Sequence, residues 1–181
     1  MNNDTETWSN LGNNDFTFII TFNIPSSSDY LVPIFAEPYG NNYNNKYGVY
    51  VGDGYMQYFI SKTGGGAWDL LSRYTNAGGT IPITTNTWHK LMFTRDGNMI
   101  YGYIDGVQDI AANVGTESVY YQNGDNTCLN IGTWVSGGTH DPNYFGKYKN
   151  FAFVKGEAYA DPTLYTFEGS ILLNVFNIRN I

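Results

Sequence analysis

The chain has 181 residues and a mass of 20.3 kDa, enough for one domain with a sizeable core, and 42% of its residues are hydrophobic and 17% aromatic. Only 14% are charged, the net charge is −7 and the sequence pI is about 4.5, so nucleic-acid and anionic-membrane binding are not expected, and no apolar run approaches the roughly 20 residues that membrane insertion needs. The low hydrophobicity that marks disorder is absent, and solubility rests on Asn, Ser, Thr and 21 Gly rather than on charge.

Period-two patterning runs through almost the whole chain. Between Phe16 and Ile24 the even positions are Phe16, Phe18, Ile20, Phe22 and Ile24, with Thr17, Thr21 and Asn23 between them. One face of that strand belongs in a core. Pro25 ends it, because proline cannot donate to a ladder. Leu31–Ala36 reads as a short strand at an edge or a bulge, on account of Pro33, and 38–46 reads as a polar loop. Tyr47–Val51 and Tyr55–Ser61 are joined by Gly52-Asp53-Gly54, a tight-turn signal. A Gly-rich stretch precedes a further strand over 68–74, and Asn76-Ala77-Gly78-Gly79 is a loop.

Trp88–Arg95 and Asn98–Ile104 form the clearest hairpin, with Asp96-Gly97 as a two-residue turn favouring type I′ geometry. Asp105-Gly106 then turns the chain into Val107–Ala111. Strands follow at Thr127–Ile131 and Tyr148–Lys155, separated by a loop over 136–143, and Ser170–Ile178 reads as one closing strand. No segment carries a 3.6-residue stripe. The pattern predicts an all-β, antiparallel two-sheet sandwich in which residues 1–181 form one domain.

The single Cys128 rules out an internal disulfide and a thiolate metal cage, and its strand-like setting suits a buried thiol. Met1–Glu6 has neither the basic start nor the apolar run of a secretory signal. The expected location is nevertheless extracellular, on a cell or virion surface, reached as part of a longer chain or an assembled particle.

Trp88-His89-Lys90-Leu91-Met92-Phe93-Thr94-Arg95-Asp96-Gly97, followed by Tyr101-Gly102-Tyr103-Ile104-Asp105-Gly106, resembles the laminin-G-like, concanavalin A-like jelly rolls. Three more stretches match that family in order: Asn14-Asp15-Phe16-Thr17, Leu129-Asn130-Ile131-Gly132, and Phe145-Gly146-Lys147-Tyr148-Lys149-Asn150-Phe151. Lys149 stands where the family often has an acidic residue, so no role for that carboxylate carries over. The resemblance implies two antiparallel sheets, one of them commonly curved. It does not choose a function, since lectins, adhesion domains, hydrolases and viral surface proteins share the fold.

Hydrolases of this fold carry E-x-D-x-E on one strand, because a retaining glycosidase needs two facing carboxyl groups. Here Glu6, Glu37, Glu117, Glu157 and Glu168 are scattered singly, so no catalytic residue is expected and the chain reads as a non-enzyme. His89 reads as scaffold and His140 as a loop residue, which leaves no zinc set. Calcium takes oxygen ligands from loops, which nominates Asp141 and Asp125 beside their Asn neighbours. Ser61–Trp68 nearly matches the S-x-D-x-G-x-x-W box of sialidase-like propellers, but Thr63 replaces its Asp.

Of 16 Tyr, 11 Phe and 4 Trp, those in or beside polar loops are Trp134, Trp68, Tyr74, Tyr43, Tyr39 and Tyr144. Sugars stack C–H faces on such rings and need Asn and Asp for their hydroxyls. The expected function is therefore a non-catalytic carbohydrate-binding or adhesion domain whose partner is a glycan or glycosylated surface. The second reading is a structural, decoration or receptor-binding domain of a phage or virion surface, with assembly partners or as a homo-oligomer. A glycoside hydrolase comes third.

Overall fold

The computed structural model describes residues 10–25, 31–39, 44–63, 68–72, 78–121, 128–132, 134–136, 139–141, 146–159, 161, 172–173 and 177–179, with backbone alone at 37–39, 44–45, 128, 134–136, 139–141, 172–173 and 177–179. The strands are β1 (Phe16–Asn23), β2 (Val32–Tyr39), β3 (Asn44–Gly52), β4 (Tyr55–Ile60), β5 (Gly78–Pro82), β6 (His89–Asp96) and β7 (Met99–Ile104). They continue as β8 (Val107–Asn113), β9 (Cys128–Ile131), β10 (Trp134–Ser136), β11 (Thr139–Asp141), β12 (Lys147–Lys155), β13 (Leu172–Leu173) and β14 (Asn177–Arg179). Among the described residues they form a first sheet, β13-β12-β1-β6-β7-β8, and a second, β14-β9-β2-β3-β4-β5, with β10-β11 as a separate ribbon. Every pairing is antiparallel. None of the described residues forms a helix long and apolar enough to cross a membrane.

The core lies between the sheets, as alternation requires. Phe16, Phe18, Ile20 and Phe22 of β1 meet Phe35, Tyr47, Val49 and Tyr58 of the second sheet. Phe18 stacks on Phe35 at 4.7 Å and on Phe153 at 4.5 Å, and Tyr58 stacks on Phe93 at 5.5 Å. Burial of this aromatic layer together with the Ile, Val and Leu side chains around it drives closing of the sandwich.

Two of the register shifts decide where Lys149 and Asp109 lie. Between Ile19 and Thr21 the β1–β12 register slips by one residue, and Asn150 there has φ 55°. The slip places both Tyr148 and Phe151 on the core side and turns Lys149 outward. Tyr148 then packs where side chains at Gly132 and Gly146 would collide with its ring, and its hydroxyl donates to Pro33 O at 3.0 Å. The glycines of the Leu129–Gly132 and Phe145–Phe151 stretches are thus the walls of a slot for one tyrosine. A second shift, between Gly102 and Tyr103, makes Asp109 of β8 the extra residue.

Several local expectations change. Pro33 meets the bulge alternative and not the edge one: it sits at a register shift inside β2, which lies between β9 and β3. Of the 38–46 stretch read as a loop, 38–39 belong to β2 and 44–46 to β3, with Tyr39 paired to Asn44. In the central hairpin Asp96 pairs with Met99, so the turn is Gly97-Asn98 with positive φ at Gly97 alone, the pattern of a type II′ turn. Asp53-Gly54 and Asp105-Gly106 do have positive φ at both residues, as type I′ requires. The stretch 68–74 contributes one isolated bridge, Leu71 to Ile60, and the 136–143 loop contains β11. Residues 170–178 do not make one strand: β13 joins β12, while β14 joins β9 on the other sheet.

Candidate ligand-binding site

The T-R-D-G motif organises one end of the sandwich. Arg95 is fully buried, and its guanidinium donates to four carbonyls: Gly97 O at 2.9 Å, Glu117 O at 2.8 Å, Gly115 O at 3.0 Å and Gly12 O at 3.4 Å. Burial pulls its pKa down and the carboxylate of Asp15 opposes that. The five donors of a guanidinium suit this hub, which a lysine could not replace. Val119 N donates to Gly12 O at 2.7 Å and Tyr120 N to Ser61 O at 2.8 Å, so the segment 115–121 lies against the loop after β4.

That loop has its own centre. Asp69 accepts Thr63 Oγ1 at 2.6 Å, Lys62 N at 2.8 Å and Ser61 Oγ at 3.1 Å. Burial pushes its carboxyl up, but these bonds outweigh that and leave its pKa below the ordinary carboxylate value. The near-match to the sialidase box is therefore closed by a different carboxylate, the residue after Trp68.

Trp68 packs on the outer face of the second sheet, its ring 4.9 Å from Phe59, which lies 5.6 Å from Tyr50. Tyr50 and Phe59 are buried, whereas Trp68 is half-buried. Burial holds the Tyr50 hydroxyl well above its ordinary pKa. On the same face Lys46 is fully buried with Nζ 4.7 Å from the centre of the half-buried Tyr121 ring, a cation–π arrangement. Lys62 and Glu117, both exposed, form an ion pair at 3.4 Å between the two loops. The loops thus present three partly open aromatic rings, Trp68, Tyr120 and Tyr121, among exposed Thr63, Asp69, Lys62 and Glu117.

Of the residues nominated from sequence, Trp68 lies in this site. Trp134 of β10 and Asp141 of β11 are directly paired across the ribbon, although the sequence nominated them for different roles. Tyr39 ends β2. Tyr43, Tyr74, Tyr144 and Asp125 lie outside the described residues. Among the described residues no three His, Cys, Asp or Glu side chains are grouped to hold a metal ion. Sequence reasoning missed Tyr120, Tyr121 and Lys46. The adjacent pair Tyr120-Tyr121 before Gln-Asn-Gly-Asp was the available signal, whereas Lys46 looks like an ordinary solvated lysine until β3 is paired.

His89 is scaffold. Its Nδ1 lies 2.7 Å from Asp105 Oδ2, and its Nε2 lies 3.2 Å from Thr84 N and 3.1 Å from Thr84 O. Asp105 Oδ1 accepts Lys90 N at 2.7 Å, and the W-H and D-G stretches of the hairpin are thereby one latch.

Similar folds occur in proteins of low identity. The binding domain of Paraclostridial Mosquitocidal Protein 1 superposes with a TM-score of 0.54 at 10% identity, over 83% of this chain and 36% of that one. A Trypanosoma rangeli sialidase mutant displaying trans-sialidase activity gives 0.55 at 14%, over 81% and 21%. Domain 4 of AbnA, a GH43 extracellular arabinanase from Geobacillus stearothermophilus, in complex with arabinotriose, gives 0.53 at 16%, over 82% and 63%. The chain thus spans less than two thirds of each of these structures. No curated protein sequence matches it significantly. The family model described as "Concanavalin A-like lectin/glucanases superfamily" matches residues 2–158, and the chain belongs to that superfamily.

Proposed function

We propose that this chain is a non-catalytic glycan-binding domain that takes its ligand over Trp68, between the 61–69 and 115–121 loops. The observation that carries the reading is the half-buried Trp68 ring, backed by Phe59 and bordered by hydroxyl, carboxylate and ammonium groups. Such a ring offers an apolar surface to sugar C–H groups, and its neighbours offer the hydrogen bonds that sugar hydroxyls need. Domains of the same fold include a toxin's binding domain and an arabinanase domain in complex with arabinotriose. Three carboxylates at this end already have structural work, which supports binding over hydrolysis. Asp69 accepts three donors, Asp15 accepts Gly97 N at 2.7 Å, and Glu117 pairs with Lys62.

The test is Trp68→Ala on an oligosaccharide array that includes arabinotriose, with thermal unfolding in parallel. A loss of about tenfold or more in affinity, as expected for one stacking ring, at little cost in melting temperature supports the site. Wild-type affinity in that variant, or hydrolysis of an array glycan by the unmodified chain, overturns the reading.

A further inference from the structure

At the other end of the sandwich, on the outer face of the first sheet, the register brings three lysines and a tryptophan together. Thr21 of β1 is paired with Lys90 on one side and Lys149 on the other, and Asn23 is paired with Lys147. Phe22 and Tyr148 in the intervening row face the core, so these side chains face out. Lys149 points outward only because of the bulge at Asn150. Its Nζ sits 4.2 Å from the centre of the Trp88 ring, reached across β1, and Trp88 is 38% exposed. Three of the nine Lys and Arg residues of a chain carrying −7 thus share one small area of sheet.

We propose that Trp88, Lys90, Lys147 and Lys149 form a second binding surface, for a carboxylate-bearing polysaccharide. Charge complementarity selects a polyanion, and the acidic remainder of the surface repels it elsewhere and so orients it. The charge of Asp161 acts on Lys90. The segment leading to it is tied to β1, where Thr17 Oγ1 donates to Glu157 O and accepts Tyr159 N, both at 3.0 Å. Burial lowers the pKa of Lys90, and Asp161 opposes that shift. The cations are all lysines, compact point charges, without the guanidinium fork suited to bidentate sulfate or phosphate. Trp88, Thr21 and Asn23 add an apolar ring, a hydroxyl and an amide, the groups a sugar chain uses and a bare acidic peptide does not. The surface shares no residue with the Trp68 site and lies on the other sheet, so the two stand or fall separately.

The experiment is low-salt affinity electrophoresis of the intact chain in gels containing polygalacturonate, neutral arabinan, heparin or poly-glutamate. The expected result is retardation by polygalacturonate, screened by about 0.5 M salt and weakened about tenfold or more in Lys90→Ala/Lys149→Ala. Trp88→Ala should weaken it as well, and Trp68→Ala should leave it unchanged. Thermal unfolding and circular dichroism of the double lysine variant, matching the unmodified chain, show that it is folded. Equal retardation by poly-glutamate, tighter binding to heparin, or polygalacturonate binding that survives the double variant would each overturn the proposal.

Discussion

The hydroxyl of Tyr58, on the second sheet, donates to Asp109 Oδ2 of the first sheet at 2.8 Å, across the full thickness of the sandwich. The other oxygen of Asp109 accepts Thr80 N at 2.7 Å and Ile81 N at 2.8 Å, so one carboxylate caps the edge strand β5 and anchors it to the edge strand β8. Burial first, then the Asp109 charge and this hydrogen bond, hold the tyrosine pKa far above its ordinary value. The bond closes one open edge of the sandwich, where unpaired backbone groups would otherwise invite association.

Removing this link should cost stability in two steps. Tyr58→Phe leaves Asp109 its backbone donors and should cost about 1–2 kcal/mol, whereas Asp109→Ala orphans three donors and should cost about 3 kcal/mol. At roughly 2–4 °C per kcal/mol for a domain of this size, calorimetry resolves the difference. Gly102→Ala should also destabilise, because its methyl would lie 2.6 Å from the Tyr58 hydroxyl oxygen. Equal melting temperatures for the two polar variants would contradict this account.

Arg95 should be the least replaceable polar residue of the scaffold. Arg95→Met keeps an apolar stem but strands four carbonyl acceptors around a fully buried side chain, and a loss of about 3 kcal/mol is expected. Because those carbonyls hold the 115–121 segment, hydrogen exchange at Tyr120 N should accelerate before the sheets unfold. Protection at Tyr120 equal to the wild type would show that the segment is held by other means.

The Asp69 loop should respond to acid. Its carboxyl pKa lies below the unfolded value of about 3.9, so its contribution is complete above that value and is lost as pH falls through the lower, folded one. The Lys62 amide proton, bonded to Asp69 Oδ1, should hold its NMR shift from neutral pH to about pH 4 and move below it. Asp69→Asn should abolish that transition and lower affinity at the Trp68 site.

His89→Ala removes the latch on the Asp105-Gly106 turn. The loss should be about 1–2 kcal/mol, or a few degrees in melting temperature, with glycan binding at the Trp68 site retained. A collapse of binding with the fold intact would make His89 a ligand contact instead.

Much of the fold was legible. The even positions of Phe16–Ile24 all enter the core, and the turns at Asp53-Gly54 and Asp105-Gly106 have the dihedrals their residues demand. The hairpin turn was misplaced by one residue because Asp96-Gly97 and Gly97-Asn98 both satisfy local turn chemistry. Only the pairing of Asp96 with Met99 separates them. β5 and β11 escaped notice because they are short and rich in turn-forming residues, and β10 because it spans three residues; each pairs with a neighbouring strand.

Alternation and turn residues determine which side chains can face a core, since both act over two to four neighbouring positions. That is enough to specify a sandwich, and with the ordered motifs it identifies the superfamily. Tertiary structure alone decided where Lys149, Asp109 and Trp68 are put to use. A bulge exists only relative to a partner strand, and one extra residue reverses every side chain beyond it. The meeting of the 61–69 and 115–121 loops likewise depends on Arg95 reaching carbonyls from separate parts of the chain, which no local pattern encodes.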